Sequence, residues 1–120
     1  MEAVTVYGIP NCDTTKKAVV LLKKHKIDHT FHDYKQAGIT AQKLEQWCKK
    51  AGWETVLNKR STTWRELEEA EQKKVLNEQA AIRLMMQNNS IIKRPIIEIN
   101  GNLLIGFNET EITKQLKLKT

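Results

Sequence analysis

A chain of 120 residues, 28% charged and 40% hydrophobic, has the length of one domain and can bury a core without disulfide or metal staples. No apolar run approaches the roughly 18 residues of a membrane span, and no basic-then-apolar segment opens the chain as a secretory signal would. Two cysteines make no disulfide framework, so a soluble protein of a reducing, cytoplasmic compartment is expected.

The net charge of +6 is spread over lysine pairs on helix faces, namely Lys16 and Lys17, Lys23 and Lys24, Lys49 and Lys50, and Lys73 and Lys74. No block of like charge and no interleaved aromatics accompany them, so direct nucleic-acid binding is not expected. Solvated helix faces are the plainest reading, and an acidic protein surface or a small anion remains compatible.

Residues 3–9 predict a strand that breaks at Gly8 and Pro10. A helix follows from Thr14 to about His25 with Ala18, Val19 and Leu22 inward. Cys12 lies between the two, at the mouth of the helix, where unpaired N–H groups and the positive end of the macrodipole favour a thiolate and can hold an anion. A free cysteine can also simply fill a dry corner. The polar neighbours Asn11, Asp13 and Thr14 argue against that, because each wants water or a backbone partner. The charge of Asp13 opposes ionisation, so a nearby cation is expected.

Residues 28–33 predict a second strand, and Gly38 ends the loop after it. Thr40 starts a helix whose stripe of Leu44, Trp47, Cys48 and Ala51 makes Cys48 a core residue. Gly52 stops that helix, and short helices are expected from Trp53 to Asn89. A capping box from Thr63 to Glu66 opens a helix over Trp64 to Ala70, a second runs from about Gln72 to Gln87, and Asn88 to Ser90 form a loop. Asn100-Gly101 between the apolar runs Pro95–Ile99 and Asn102–Ile105 predicts a hairpin on a type I′ turn. Asn108 with Glu111 caps a last helix through Ile112 and Leu116. Trp47, Trp53 and Trp64 read as packing anchors. His25 reads as a helix C-terminal residue. His29 and His32 have no cluster of further ligands around them, so no metal site is expected.

Two βα units followed by ββα describe an α/β chain with a thioredoxin-like mixed sheet, read as a single domain over residues 1–120 with a helical insertion at about residues 40–89. In such sheets ligands bind beyond the carboxyl ends of the strands, where the Cys12 loop lies.

The stretches Tyr7-Gly8-Ile9, Asn11-Cys12-Asp13-Thr14, Phe31-His32-Asp33-Tyr34, Asn58-Lys59-Arg60, Thr62-Thr63-Trp64-Arg65, Ile91-Ile92-Lys93-Arg94-Pro95 and Gly106-Phe107 resemble the ArsC-like branch of the thioredoxin fold over essentially the whole chain. That branch holds glutaredoxin-linked arsenate reductases, the Spx and MgsR regulators and YffB-like proteins, and the likeness is strongest to the YffB-like group. In the reductases a cysteine attacks arsenate while three arginines hold the oxyanion. The resemblance places the cysteine at Cys12 and two arginines at Arg60 and Arg94, and puts the third position at Phe107. A lost bidentate contact of that type removes roughly 1.5–3 kcal/mol. Pro95 matches the proline that thioredoxin-like proteins keep cis beside the active cysteine. Thr15 stands where many Spx-type proteins carry the second cysteine of a CxxC switch.

The resemblance implies a cytoplasmic thiol-redox enzyme, a glutathione-dependent reductase of thiols or arsenate. Cys12 is then the nucleophile with Arg60 and Arg94 in the catalytic site, and Asn11, Thr14, Thr15 and Pro95 line the substrate. No bound cofactor or metal is implied. Glutathione or another small thiol is the co-substrate, glutaredoxin is a candidate partner, no membrane is involved, and a monomer is expected. The competing implication is an Spx/MgsR-like regulatory module that contacts RNA polymerase without turnover.

Overall fold

The structure is a computed structural model that describes residues 3–116. In chain order its elements are β1 (Val4–Gly8), α1 (Asp13–Lys24), β2 (Thr30–Asp33), α2 (Tyr34–Ala37), α3 (Ala41–Ala51), α4 (Trp53–Val56), α5 (Thr62–Glu66), α6 (Glu69–Lys73), α7 (Glu78–Gln87), a 3₁₀ turn (Asn89–Ile91), β3 (Ile96–Ile99), β4 (Asn102–Ile105) and α8 (Glu109–Gln115). They form two compact units, one comprising the chain up to Asp33 together with the chain from Arg94 onward, the other Tyr34–Lys93.

The first unit is the thioredoxin-like part, a four-stranded sheet in the order β2-β1-β3-β4. β1 runs parallel to β2 and antiparallel to β3, which pairs antiparallel with β4. Val6 lies opposite Ile97 and Val4 opposite Ile99, so one face of the sheet presents a continuous aliphatic patch. Ala18, Leu21 and Leu22 of α1, with Ile112 and Leu116 at the end of the chain, bury that patch. Asn100 (φ 51°) and Gly101 (φ 88°) occupy the left-handed region that a type I′ turn needs at both central positions, as expected. Asn108 caps α8 by accepting from the Glu111 N–H at 3.0 Å.

The second unit is helical. Leu44, Trp47 and Cys48 of α3 are buried, as their spacing predicts, together with Val56, Leu57, Trp64, Ile82, Met85 and Ile92. Thr40 caps α3 and Gly52 (φ 90°) ends it.

Several boundaries differ from the sequence reading. The helical unit begins at Tyr34 and ends at Lys93, wider than residues 40–89. Residues 34–37 form one helical turn rather than loop, too short to carry a period. The cap of α5 is Ser61, accepting from the Trp64 N–H at 3.1 Å, so that helix starts at Thr62 and stops at Glu66. The pattern expected over Gln72 to Gln87 is broken. α6 ends at Lys73, and α7 starts afresh where the Asn77 side chain accepts from the Ala80 N–H at 2.9 Å. An asparagine that caps competes with continuation of the helix it follows. Residues 89–91 are a 3₁₀ turn rather than open loop.

Candidate active site around Cys12

β1 delivers the chain to Gly8, and Ile9, Pro10 and Asn11 turn it. The Cys12 N–H donates to the Ile9 carbonyl at 3.0 Å, and the Cys12 carbonyl accepts from Lys16 at 2.9 Å, so Cys12 is the N-cap of α1. Twelve residues of helix stand behind it. The sulfur is therefore at the positive end of the dipole.

The thiol is half-buried, and its Sγ lies 3.2 Å from Thr14 Oγ1, which in turn donates to the Arg94 carbonyl at 3.1 Å. Thr14 has one hydroxyl proton for these two partners. With the thiol protonated, the chain runs from S–H to Oγ1 and on to the carbonyl. With the thiolate, the hydroxyl can turn its proton toward sulfur. Burial pushes the Cys12 pKa up, but the Thr14 hydroxyl, the Thr15 N–H and hydroxyl and the Arg94 charge outweigh it and bring it down to about 7. Cys12 makes no capping hydrogen bond of regular geometry, and the Thr15 hydroxyl has no aligned partner among the described residues. The Thr15 groups act as nearby dipoles rather than as formed bonds.

Arg94 supplies the cation that the sequence called for, while Lys16 and Lys17 are exposed a turn further along. The Arg94–Pro95 peptide is cis, and the Pro95 carbonyl accepts from Gly106 at 2.8 Å. Asn11 is an exposed turn residue without a side-chain hydrogen bond among the described residues, so the loop is held by Cys12 and Thr14 instead.

Arg60 belongs to the helical unit, in the turn between α4 and α5, where its N–H donates to Asn58 Oδ1 at 3.1 Å. It lines a hollow of about 180 Å³ with Lys59 and Lys93. The neighbouring Lys59 is held between aromatic rings, its Nζ 5.5 Å from the centroid of Trp53 and 5.6 Å from that of Trp64, a double cation–π contact. Phe107 is half-buried against the aliphatic core of the first unit.

Cys48 is the opposite of Cys12. Burial, with the Glu78 charge adding to it, pushes its pKa up to about 11. His29 Nδ1 is 3.1 Å from the Ile27 carbonyl, and His32 stacks at a tilt on Tyr7, ring centroids 5.0 Å apart. Among the described residues no three His, Cys, Asp or Glu gather as a metal site would require, and no helix is long and apolar enough to cross a membrane.

Sequence reasoning took Gly8 as a strand break and Thr15 as a substrate-lining residue, and missed that the two pack against each other. A Cβ on Gly8 would meet Thr15 Oγ1 at 2.6 Å. Thr15 shares a helix face with Ala18 and Leu22, so its burial was readable from the 3.6-residue period, but its contact with a strand glycine was not.

Comparison with known proteins follows the same outline. The ArsC family model matches residues 7–115. An uncharacterised protein of Haemophilus influenzae is 48% identical over 108 residues, 90% of this chain and 94% of that one. The global transcriptional regulator Spx of Staphylococcus aureus is 29% identical over 97% of this chain and 88% of its own length. Among solved structures, a YFFB protein is 46% identical with a TM-score of 0.90, covering 94% of this chain and 98% of its own. An arsenate reductase (ArsC) related protein from Brucella melitensis is 42% identical with a TM-score of 0.73, covering 97% of this chain and 96% of its own.

Proposed function

The chain belongs to the ArsC family, and from that footing we propose that it is a cytoplasmic, glutathione-dependent thiol reductase in which Cys12 is the nucleophile. The observation that carries the proposal is the Cys12 sulfur at the N-cap of α1, 3.2 Å from Thr14 Oγ1 and with a pKa brought down to about 7. A thiol with that pKa is about half ionised at neutral pH and keeps most of its nucleophilicity.

In the proposed cycle the Cys12 thiolate attacks the glutathione sulfur of a mixed disulfide. A Cys12–glutathione disulfide forms, and the other thiol leaves as its thiolate. A second glutathione, as thiolate, then attacks the glutathione sulfur on Cys12. Glutathione disulfide is released and the Cys12 thiolate returns, so the incoming glutathione supplies the two electrons that reduce the substrate and leaves oxidised, as half of the disulfide. Thr15 stands where an intramolecular resolving cysteine would be, and Cys48 is buried with a raised pKa, so the second thiol comes from outside.

Arg94 contributes positive charge to the sulfur within its own unit. Arg60 enters this reading as a catalytic residue through its correspondence to the family's arginine alone. Asn11 and Thr14 are the exposed residues that flank the substrate in this reading, while Thr15 and Pro95 are buried beside Cys12 and support the loop. Phe107 at the third arginine position supports disulfide substrates over arsenate, which is expected to turn over with lower efficiency.

The test is reduction of a glutathionylated peptide by glutathione, followed through glutathione reductase. Cys12→Ser is expected to abolish turnover, and Arg94→Ala and Arg60→Ala to lower it by tenfold or more, about 1.4 kcal/mol of transition-state stabilisation each. Turnover indifferent to all three substitutions overturns the site.

The relation to Spx favours a second reading, a regulatory module without turnover. Recovery of RNA polymerase with the tagged chain, unchanged by Cys12→Ser and accompanied by no turnover, would support it.

A further inference from the structure

Val20 is 63% exposed in the middle of α1. The residues three and four positions away on either side are Lys16, Lys17, Lys23 and Lys24, all exposed. Positions at those spacings are the nearest neighbours on a helix surface, so the four lysines ring the valine. None of them forms an ion pair among the described residues. Asp13, three and four positions before Lys16 and Lys17, is the one carboxylate of the same helix, so the face keeps an excess of positive charge that is greatest at Lys23 and Lys24.

Grooves flank the ring on both sides. One, of about 440 Å³, is lined by Pro10, Val19, Val20 and Phe31 with Lys16 and Lys23. The other, of about 360 Å³, is lined by Val20, Leu21 and Phe107 with Lys16, Lys17 and Lys24, against a single carboxylate, Glu109. Val20 is shared by the two, and each has lysines beside an apolar lining.

We infer that this face of α1 docks an acidic segment of a partner protein, with carboxylates on the lysine ring and one bulky apolar side chain in the groove beside Val20 and Phe31. The charge complementarity selects an acidic occupant, and the apolar groove selects one that also has a side chain to bury. Single-stranded nucleic acid would need successive aromatic stacking platforms, whereas Phe31 and Phe107 are partly buried and stand one to each groove. A lipid surface would need a broad apolar face rather than a single valine among lysines. Pro10 and Thr15 also line the larger groove, so a segment bound there passes beside the Cys12 loop.

The experiment is selection of a random peptide library on the full chain carrying Cys12→Ser, which makes the result independent of the thiol chemistry. The expected peptides combine several Asp or Glu residues with one Leu, Phe, Trp or Met. Synthesised, they should shift the amide resonances of α1, bind more weakly as salt rises, and lose about tenfold or more in affinity on Val20→Asp and on Lys23→Glu with Lys24→Glu. These positions are solvent-exposed, and thermal unfolding confirms that the variants are folded. Absence of an acidic–apolar consensus, equal binding to both variants, or shifts confined to other elements overturns the inference. A single-stranded oligonucleotide and vesicles containing phosphatidylglycerol are tested alongside. Binding of either to the parent chain but not to Val20→Asp assigns the face to nucleic acid or lipid and overturns it as well.

Discussion

Gly8 presses its bare Cα against Thr15, so that a Cβ added at Gly8 would stand 2.6 Å from the threonine hydroxyl oxygen and 2.9 Å from its methyl carbon. The last residue of β1 and the first turn of α1 are thereby locked at the closest approach the backbone allows, with Cys12 between them. Thr15 is β-branched and 1% exposed, so it has no free rotamer to escape into. Gly8→Ala is expected to destabilise the protein by about 1–3 kcal/mol and to raise the pH midpoint of Cys12 alkylation as the helix start shifts. Thr15→Ala in the same chain should recover much of the stability. A double-mutant cycle measured by denaturant unfolding checks the coupling, and additive effects would refute the contact.

Alkylation against pH, resolved by mass spectrometry, separates the two thiols. Cys12 is expected to react with a midpoint at about 7, well below the ordinary thiol value of about 8.5, and Cys48 near 11. At neutral pH the label should enter Cys12 alone. Arg94→Met should move the Cys12 midpoint upward and leave that of Cys48 where it is. A Cys12 midpoint at or above 8.5 removes the nucleophile from the proposed cycle.

The same two pKa values set opposite pH dependences of stability. The folded-state pKa of Cys12 is depressed, so its ionisation stabilises the fold above the unfolded value of about 8.5, and that contribution is lost as pH falls through about 7. Relative to Cys12→Ser, the parent protein should therefore gain stability between about pH 7 and 8.5 and hold it above. The folded-state pKa of Cys48 is raised. Its contribution is present below about 8.5 and lost as pH rises towards 11, and Cys48→Ala should remove that alkaline loss. Urea titrations at a series of pH values read both windows.

What could be read from the sequence divides by range along the chain. The Asn100-Gly101 turn, the Asn108 cap and the stripe of Leu44, Trp47 and Cys48 are patterns of neighbours, and each is present where its spacing puts it. Cys12 at a helix mouth follows equally from the break at Gly8 and Pro10. The boundaries that moved are in the helical unit, where Ser61 and Asn77 compete with other polar residues for the capping role and local pattern cannot choose between them. The surroundings of the thiol were least legible, because they are made by contacts between distant residues. Thr14 reaches the carbonyl of Arg94 across eighty positions of sequence, and Gly8 meets Thr15 from a different element.

That long-range contact gives Thr14 a measurable part in the acidity of Cys12. Thr14→Val removes the hydroxyl that bridges Sγ and the Arg94 carbonyl while keeping the side-chain shape. The hydroxyl serves the thiolate only by turning away from the carbonyl, so its net effect is smaller than that of a free charge-assisted bond. The Cys12 alkylation midpoint is expected to rise by up to about one unit, and Thr14→Ser to leave it near its original place. A midpoint that does not move on Thr14→Val would show that the Thr15 groups and Arg94 suffice.

The β3–β4 turn allows a comparison in which backbone conformation and hydrogen bonding are separated. Asn100 stands at φ 51° and Gly101 at φ 88°. Asn100 also exchanges two bonds with Ala3, its N–H donating to the Ala3 carbonyl at 2.9 Å and its Oδ1 accepting from the Ala3 N–H at 2.8 Å. Gly101→Ala keeps every bond and adds only left-handed strain, a cost of about 1–2 kcal/mol. Asn100→Gly relieves strain but deletes the side-chain acceptor, costing about 0.5–1.5 kcal/mol. Asn100→Ala suffers both losses and should be the least stable of the three. Thermal unfolding should rank Asn100→Ala below each of the other variants. If Asn100→Ala were no worse than Asn100→Gly, the positive φ at that position would carry no cost and the turn would not be type I′.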